Sequence, residues 1–352
     1  VRGALRALVG ALAGVLVLSG VAVAAPGAPY GRWARTAGTV LAGWYDPATG
    51  LYDTTNWWNA ANALNAEIDL SRRHGLRVGA EHAAITYDRH HAGGFLNHYY
   101  DDEGWWALTW INAHDLTGDP RYLATARGIF ADLLTGWDDV CGGGLWWNKD
   151  RRYKNAITNE LFITVATRLA ARTPGPAAAE YLGWARRGWA WFAASGMINS
   201  SGLVNDGLDD ACANNGQPTW TYNQGVILGA LTDLTRLTGD RTLLATAHRI
   251  AGAAITTVIH PGGILREPCE PDHCGADGPQ FKGIFMRNLG HLHTHSPRAR
   301  YADFVRANAR SLWRHGRSAA DEIGLVWIGP FDTADAARQS SALDALNAAA
   351  NL

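Results

Sequence analysis

Apolar residues return at intervals of three and four along most of the chain. This spacing predicts helices over 30–44, 57–73, 77–90, 101–116, 121–135, 155–172, 178–195, 221–237, 241–258, 281–295, 298–315 and 339–350. A weak repeat of about 60 residues runs beneath them, clearest in Asp115–Arg127 and Leu234–Arg249, with related patterns from Tyr181 and from Tyr301. In the clearest copies a glycine-containing turn closes one helix, and Asp119 or Asp240 stands where the next needs an N-cap. Repetition at such a period marks stacked helical units.

The helices beginning near 57, 101, 155, 221, 281 and 339 are rich in small and apolar residues, whereas those near 121, 178, 241 and 298 carry arginine at regular intervals. Inner and outer helices therefore alternate, and an all-α closed double ring of six hairpins follows. Turns from inner to outer helices are short. The opposite connections, near 45–56, 91–100, 136–154, 196–220, 259–280 and 316–338, are long and hold most of the Gly, Asn and Cys. Long loops in a compact domain are usually functional, so they should gather at one mouth, at the N-termini of the inner helices. Nothing resembling a linker divides 26–352, which reads as one domain.

Charge narrows the partners. With 31 basic against 32 acidic residues there is no excess of Lys and Arg for a nucleic-acid or anionic-membrane surface. Composition adds a positive signal, 16 Trp against 8 Phe, including tandem pairs at Trp57–Trp58, Trp105–Trp106 and Trp146–Trp147. Indole is seldom fully buried and offers a flat face and an N–H, which suits a sugar ring; helix packing is the competing use. At the N-terminus, Arg2 and Arg6 precede an apolar run ending in small residues, the pattern of a secretory signal peptide over 1–25. The mature chain is expected to be secreted, free of the membrane after cleavage, and monomeric. Its four cysteines are then free to oxidise: Cys269 and Cys274 suit a small loop, Cys141 and Cys212 a possible second pair, although three connectivities exist. No CxxC pair or HExxH motif supports a metal site, and no cofactor is indicated.

The chemistry is expected at Tyr99-Tyr-Asp101-Asp102-Glu-Gly-Trp105-Trp106, at the start of an inner helix. Adjacent acids there serve as caps and complement the helix dipole, but two tyrosines and two tryptophans beside them suggest a pocket mouth. Glycoside hydrolysis needs one protonated and one ionised carboxyl group, about 5–5.5 Å apart for retention and roughly 6.5–9.5 Å for inversion. Neighbouring residues reach the shorter separation more readily, so retention is favoured, with the pair titrating as a unit. Lower-ranked expectations fall on the same mouth. Trp57, Trp105, Trp106, Trp146 and Trp147 are candidates for sugar stacking; Asp209 and Asp210 for sugar hydroxyls, with a calcium loop as the rival; Tyr222, Asn223 and Gln224 for the cleft wall. Lys282, one of three lysines, would tune the carboxylates, bind substrate or form a surface salt bridge.

The Asp-Asp motif resembles that of the glycoside hydrolase family 76 endo-α-1,6-mannanases. The likeness extends to Cys141-Gly-Gly-Gly-Leu-Trp-Trp-Asn148, Lys154-Asn-Ala-Ile-Thr-Asn-Glu160, Gly202-Leu-Val-Asn-Asp-Gly-Leu208, Thr219-Trp-Thr-Tyr-Asn-Gln-Gly225, Gly263-Ile-Leu-Arg-Glu267 and Gly278-Pro-Gln-Phe-Lys-Gly283. It covers roughly 30–295 and fades beyond about 296. The resemblance implies an (α/α)6 barrel, a retaining mechanism and cleavage inside α-1,6-linked mannan, with Asp101 as nucleophile and Asp102 as acid then base. Transglycosylation through the same intermediate, and non-catalytic mannan binding, are the alternatives.

Overall fold

The computed structural model describes residues 29–272 and 274–352; the expected signal peptide at 1–25 lies outside them. Twelve α-helices are present among the described residues: α1 (Tyr30–Ala42), α2 (Trp57–His74), α3 (Val78–His90), α4 (Tyr100–Thr117), α5 (Pro120–Thr135), α6 (Ala156–Ala170), α7 (Pro176–Ala194), α8 (Thr221–Thr238), α9 (Thr242–Thr257), α10 (Gly278–His295), α11 (Ala299–His315) and α12 (Ala336–Ala350). Each matches an expected segment. The largest differences lie at two starts, and both have local causes. Pro279, at home in a first turn, lets α10 begin at Gly278. The Asp335 carboxylate accepts the Arg338 N–H at 2.7 Å, so α12 begins at Ala336.

The even-numbered helices pack in the order α2, α4, α6, α8, α10, α12 and back to α2, closing an inner ring, while the odd-numbered helices stand behind it. This is the (α/α)6 barrel. The ring is tight because glycines remove side chains where inner helices meet: a Cβ on Gly225 would lie 2.6 Å from Phe285 Cα, and one on Gly283 would lie 2.5 Å from Ser341 Cα. The αL glycines Gly75, Gly118 and Gly239 end α2, α4 and α8 and allow the short turns at the lower mouth.

The long connections gather at the upper mouth and are more ordered than plain loops. Two hold antiparallel pairs, β1 (Tyr45–Asp46) with β2 (Leu51–Tyr52) and β3 (Ile259–His260) with β4 (Ile264–Leu265). Three more hold isolated bridges: Trp137 to Leu145 in one, Ile198 to Val204 and Leu208 to Asn214 in the second, and Arg317 to Ile323 in the third. A recurring clasp ties them down. The fourth residue of an inner helix receives a backbone N–H from its own incoming connection: Glu103 from Asn97 (3.1 Å), Asn159 from Leu145 (2.7 Å), Gln224 from Val204 (2.8 Å) and Gln339 from Ile323 (2.8 Å).

Both disulfides lie at this mouth, Cys141–Cys212 across two connections and Cys269–Cys274 within one. Opening the first frees a loop of 71 residues. The double variant Cys141→Ala/Cys212→Ala is expected to lose about 2–4 kcal/mol in urea unfolding, the usual range for such a cross-link.

Candidate active site

Asp101 and Asp102 are the second and third residues of α4, partly exposed at the upper mouth. Each is gripped by its own donor. Asp101 Oδ2 accepts the Trp147 indole N–H at 3.0 Å and its Oδ1 accepts the Asp102 backbone N–H at 3.1 Å. Asp102 Oδ2 accepts from Asn97 Nδ2 at 2.6 Å. Burial first, and the charge of Asp102 second, push the Asp101 carboxyl well above the ordinary range, against the pull of the Trp147 donor. Burial raises Asp102 to about 6, with the Asn97 amide opposing and the charge of Asp277 adding to the rise. Two adjacent carboxylates cannot both ionise cheaply, so the pair titrates as a coupled unit.

A chain of contacts explains the placement of Asn97. Phe95, in the left-handed region at φ 62°, is buried against Trp57, Trp106 and Trp110 at ring distances of 6.1, 5.1 and 4.6 Å. That anchor holds the connection whose Asn97 N–H enters the Glu103 clasp while its side chain meets Asp102. Glu103 is wholly buried and paired with Lys149 at 2.9 Å. Burial raises its carboxyl to about 8, with the Lys149 bond opposing.

The floor of the cleft is aromatic. Trp58 stacks on Trp105 at 5.7 Å and on Phe281 at 6.0 Å, and Tyr222 lies on Phe281 at 3.9 Å. Trp58 also donates its N–H to Asp277 at 2.8 Å, and Asn56 binds the same oxygen at 2.9 Å. Burial and the surrounding carboxylates Asp206, Asp101, Glu160 and Asp277 push the Tyr222 hydroxyl well up. It therefore stays a neutral donor. Asp206 accepts the Tyr153 hydroxyl at 2.6 Å and is raised by burial. Glu160 is wholly buried with neither oxygen partnered, and burial, then the charge of Asp206, drives its carboxyl well above the usual range.

Several expected site residues lie elsewhere, for physical reasons. Successive helical residues point about 100° apart, so Trp58 faces the cleft while Trp57 turns outward onto His90, Phe95 and Trp106. Trp106 is wholly buried in that packing, whereas Trp105 lies under the floor. Trp146 donates to Asp138 at 2.6 Å beneath the Lys154 ammonium and braces its loop, leaving Trp147 as the member of that pair at the carboxylates. Gln224 is a clasp, satisfied by Val204 and Trp220. Asn223 is wholly buried beside Asp206 without closing a full hydrogen bond.

Asp209 and Asp210 are exposed, and Asp209 Oδ1 caps its own turn through the N–H groups of Ala211 and Ala213, each at 2.9 Å. Lys282 is wholly buried, pairs with Glu270 at 2.5 Å and donates to the Leu325 carbonyl at 2.6 Å, beside the Trp327 ring. It joins two connections and is neither a cleft residue nor a surface salt bridge.

Asn97, Asp206 and Asp277 were not among the expected residues. Asp206 stands three residues before Asp209, inside the Gly202–Leu208 segment, and Asp277 directly precedes α10, a position comparable to that of the Asp pair. Those positions were the available signals.

A pair of adjacent carboxyl groups, both raised above the ordinary range, over an aromatic floor, has the make-up of acid–base chemistry on a glycosidic bond. Fold and cleft together are those of the helical-barrel glycoside hydrolases. The chain belongs to glycosyl hydrolase family 76, whose pattern matches residues 35–352. The match continues past about 296, where the quoted motifs end, so α11 and α12 belong to the family pattern too. The mannan endo-1,6-alpha-mannosidase DCW1 of Saccharomyces cerevisiae is 27% identical over 274 residues, covering 70% of this chain and 60% of that protein. The chain thus spans about three-fifths of that relative's length.

Among solved structures, an inactive variant of the alpha-1,6-mannanase GH76A of Salegentibacter sp. HEL1_6, carrying two consecutive aspartate-to-alanine changes and bound to alpha-1,6-mannotetrose, superposes with a TM-score of 0.82 at 25% identity over 92% of this chain and 99% of that one. The Lin0763 protein of Listeria innocua gives 0.81 at 26% identity over 91% and 97%.

Proposed function

We propose that this chain is a secreted, endo-acting α-1,6-mannan hydrolase that works with retention. The observation that carries this reading is the Asp101–Asp102 pair, each member perturbed and each held by a separate donor. The changes that inactivate the Salegentibacter mannanase fall on two consecutive aspartates, which supports the same pair here.

Asp101, with two donors on its carboxylate, is the nucleophile: the Trp147 and Asp102 N–H groups fix its oxygens without occupying every lone pair. Asp102, raised to about 6, suits a group that must give a proton to the leaving oxygen and later take one from water. A proton on Asp102 also removes the second cause of the rise at Asp101, which leaves that carboxylate freer to attack. Tyr222, Asp206 and Asp277 supply hydroxyl and carboxylate partners for sugar hydroxyls, and the aromatic floor supplies the stacking face.

Incubation with linear α-1,6-mannan tests the reading, with product sizes and first-formed anomer followed by NMR. Mixed internal fragments with α-configuration are expected. A β-product would remove the retaining mechanism, and no cleavage would remove the substrate. Tyr99 is exposed at the rim, 4.9 Å from Trp147, where a second sugar could stack, which keeps transglycosylation in view. The ratio of transfer to hydrolysis products with added mannoside measures it. Turnover of any kind separates both from a non-catalytic mannan-binding protein.

Secretion and a monomeric state are part of the same proposal. Two disulfides accord with an oxidising compartment, and no described helix is long and apolar enough to cross a membrane. Light scattering of the purified protein reports the oligomeric state.

The pH profile follows from the same contacts. Asp102 must be protonated to act as acid, so kcat/KM should fall above about 6. The Asn97 hydrogen bond favours its charged form, so Asn97→Ala raises the Asp102 pKa and should move the alkaline limb to higher pH, with roughly a tenfold loss at the optimum. An unmoved limb would separate Asn97 from the acid.

A further inference from the structure

The barrel has a second mouth. At the C-terminal ends of the inner helices lies a cavity of about 490 Å³, running from Asp115 and Arg172 at the rim up to Trp105 and Leu108. Asp115 and Trp105 are ten residues apart on α4, so the cavity reaches roughly 15 Å into the barrel. Trp105 forms its inner wall, and the other side of the Trp58–Trp105 stack floors the catalytic cleft. None of Trp58, Asp101, Asp102, Asp206, Tyr222 or Asp277 lines the lower cavity, so the two spaces are distinct.

Its lining is strongly polar and unevenly charged, with six arginines against three aspartates. Arg172 is matched by Asp115 at 2.7 Å, and Arg72 by Asp69. Arg287 leaves the cavity for Asp344 at 3.0 Å and Asn62 at 2.7 Å. The single carboxylate of Asp233 serves Arg168 at 3.1 Å, Arg236 at 3.6 Å and His291 at 2.7 Å. Arg73 has no carboxylate within ion-pairing distance among the described residues, and Asp69, already held by Arg72, acts on it only from farther off.

Helix C-termini draw basic residues to such a mouth, which accounts for the arginines on the rim. It does not supply counter-charge: the six guanidinium groups find only four carboxylates as ion-pair partners, Asp69, Asp115, Asp233 and Asp344. Two guanidinium charges, Arg73 and one of the pair sharing Asp233, thus go unmatched. A phosphate monoester, carrying nearly two negative charges at neutral pH and several acceptor oxygens, fits that deficit better than a carboxylate. Deeper in, beside the Trp105 indole, Asn112 donates to Asn65, Asn288 to the Ile284 carbonyl and Thr164 to the Glu160 carbonyl, which leaves the Asn65 amide N–H groups and the Asn112 and Asn288 carbonyl oxygens as partners for a sugar ring. The volume is within the range of small-molecule sites.

We propose that this lower cavity binds a phosphorylated sugar, independently of the mannan cleft. Calorimetry on the native protein at low ionic strength tests it, with mannose 6-phosphate, mannose and inorganic phosphate as probes. One equivalent of mannose 6-phosphate should bind at least ~10-fold more tightly than either mannose or phosphate alone, a difference of about 1.4 kcal/mol. Mannotriose should not displace it, and an Asp101→Asn variant should bind it equally well.

Arg73→Gln should weaken binding at least ~10-fold while leaving mannan turnover unchanged. If that variant fails to fold, Thr294→Trp at the exposed rim, which would plug the entrance, takes its place with the same expected loss. Equal affinity for phosphate or for mannose, displacement by mannotriose, or binding untouched by these variants would each overturn the proposal.

Discussion

Asp101→Asn is expected to lower the turnover of linear α-1,6-mannan by about four orders of magnitude, because an amide cannot form the glycosyl-enzyme and the remaining contacts give only binding. Misfolding is not expected to accompany that loss. The folded-state pKa of Asp101 is raised, chiefly by burial. Its contribution to stability is fully present below the unfolded pKa near 4 and is lost as pH rises through the folded value. At neutral pH the ionised form is therefore a burden on the fold, and the neutral amide relieves it. Thermal unfolding at pH 7 should show a midpoint equal to or above that of the native protein.

Azide distinguishes the two roles. Added to Asp101→Ala it should give β-mannosyl azide by direct displacement. Added to Asp102→Ala it should intercept the covalent intermediate and give the α-azide. The opposite pattern would exchange the roles of the two aspartates, and a cold, fully active Asp101→Asn would end the catalytic assignment.

Lys282→Met should destabilise the fold by about 3–5 kcal/mol, the penalty for leaving one member of a buried ion pair behind. Lys282 lies between Glu270 and the Leu325 carbonyl, and Glu270 also binds His260 at 3.1 Å and the Glu267 N–H at 2.9 Å. Glu267 accepts in turn from both the hydroxyl and the N–H of Thr221, the first residue of α8. Losing the ammonium unties the connections before α10 and α12 together. Urea unfolding measures the loss, and adding Glu270→Gln should restore part of it by removing the stranded charge. KM for mannan at low temperature should stay within about twofold, since no atom of Lys282 reaches the cleft; a large rise in KM with native stability would make it a substrate ligand instead.

Much of the architecture could be read from the chain because helical periodicity and turn chemistry are local signals. The Gly118-Asp119-Pro120 turn, for example, announces both the end of α4 and the start of α5. The Asp101–Asp102 pair stood out for a related reason: two adjacent acids among aromatics at an inner-helix start are hard to explain by capping alone.

What could not be read depends on rotation and on partners distant in sequence. Trp57 and Trp58 are equivalent by composition, and only the position of α2 in the ring decides which one faces the cleft. Asp206 and Asp209 share one acidic loop, and only the pairing of that loop with Tyr153 separates the buried carboxylate from the exposed one. Lys282 looked like a cleft residue because it follows a helix start, yet its partners are 12 and 43 residues away.

The clasp at the fourth position of the inner helices has a wider consequence. Each connection that bears one is secured to the helix it enters as well as to its neighbours, so a segment lying away from both ties can lengthen, shorten or be exchanged while the second and third helical positions keep their orientation. A barrel organised in this way can acquire new substrate preferences one rim segment at a time, with its reacting groups left in register throughout.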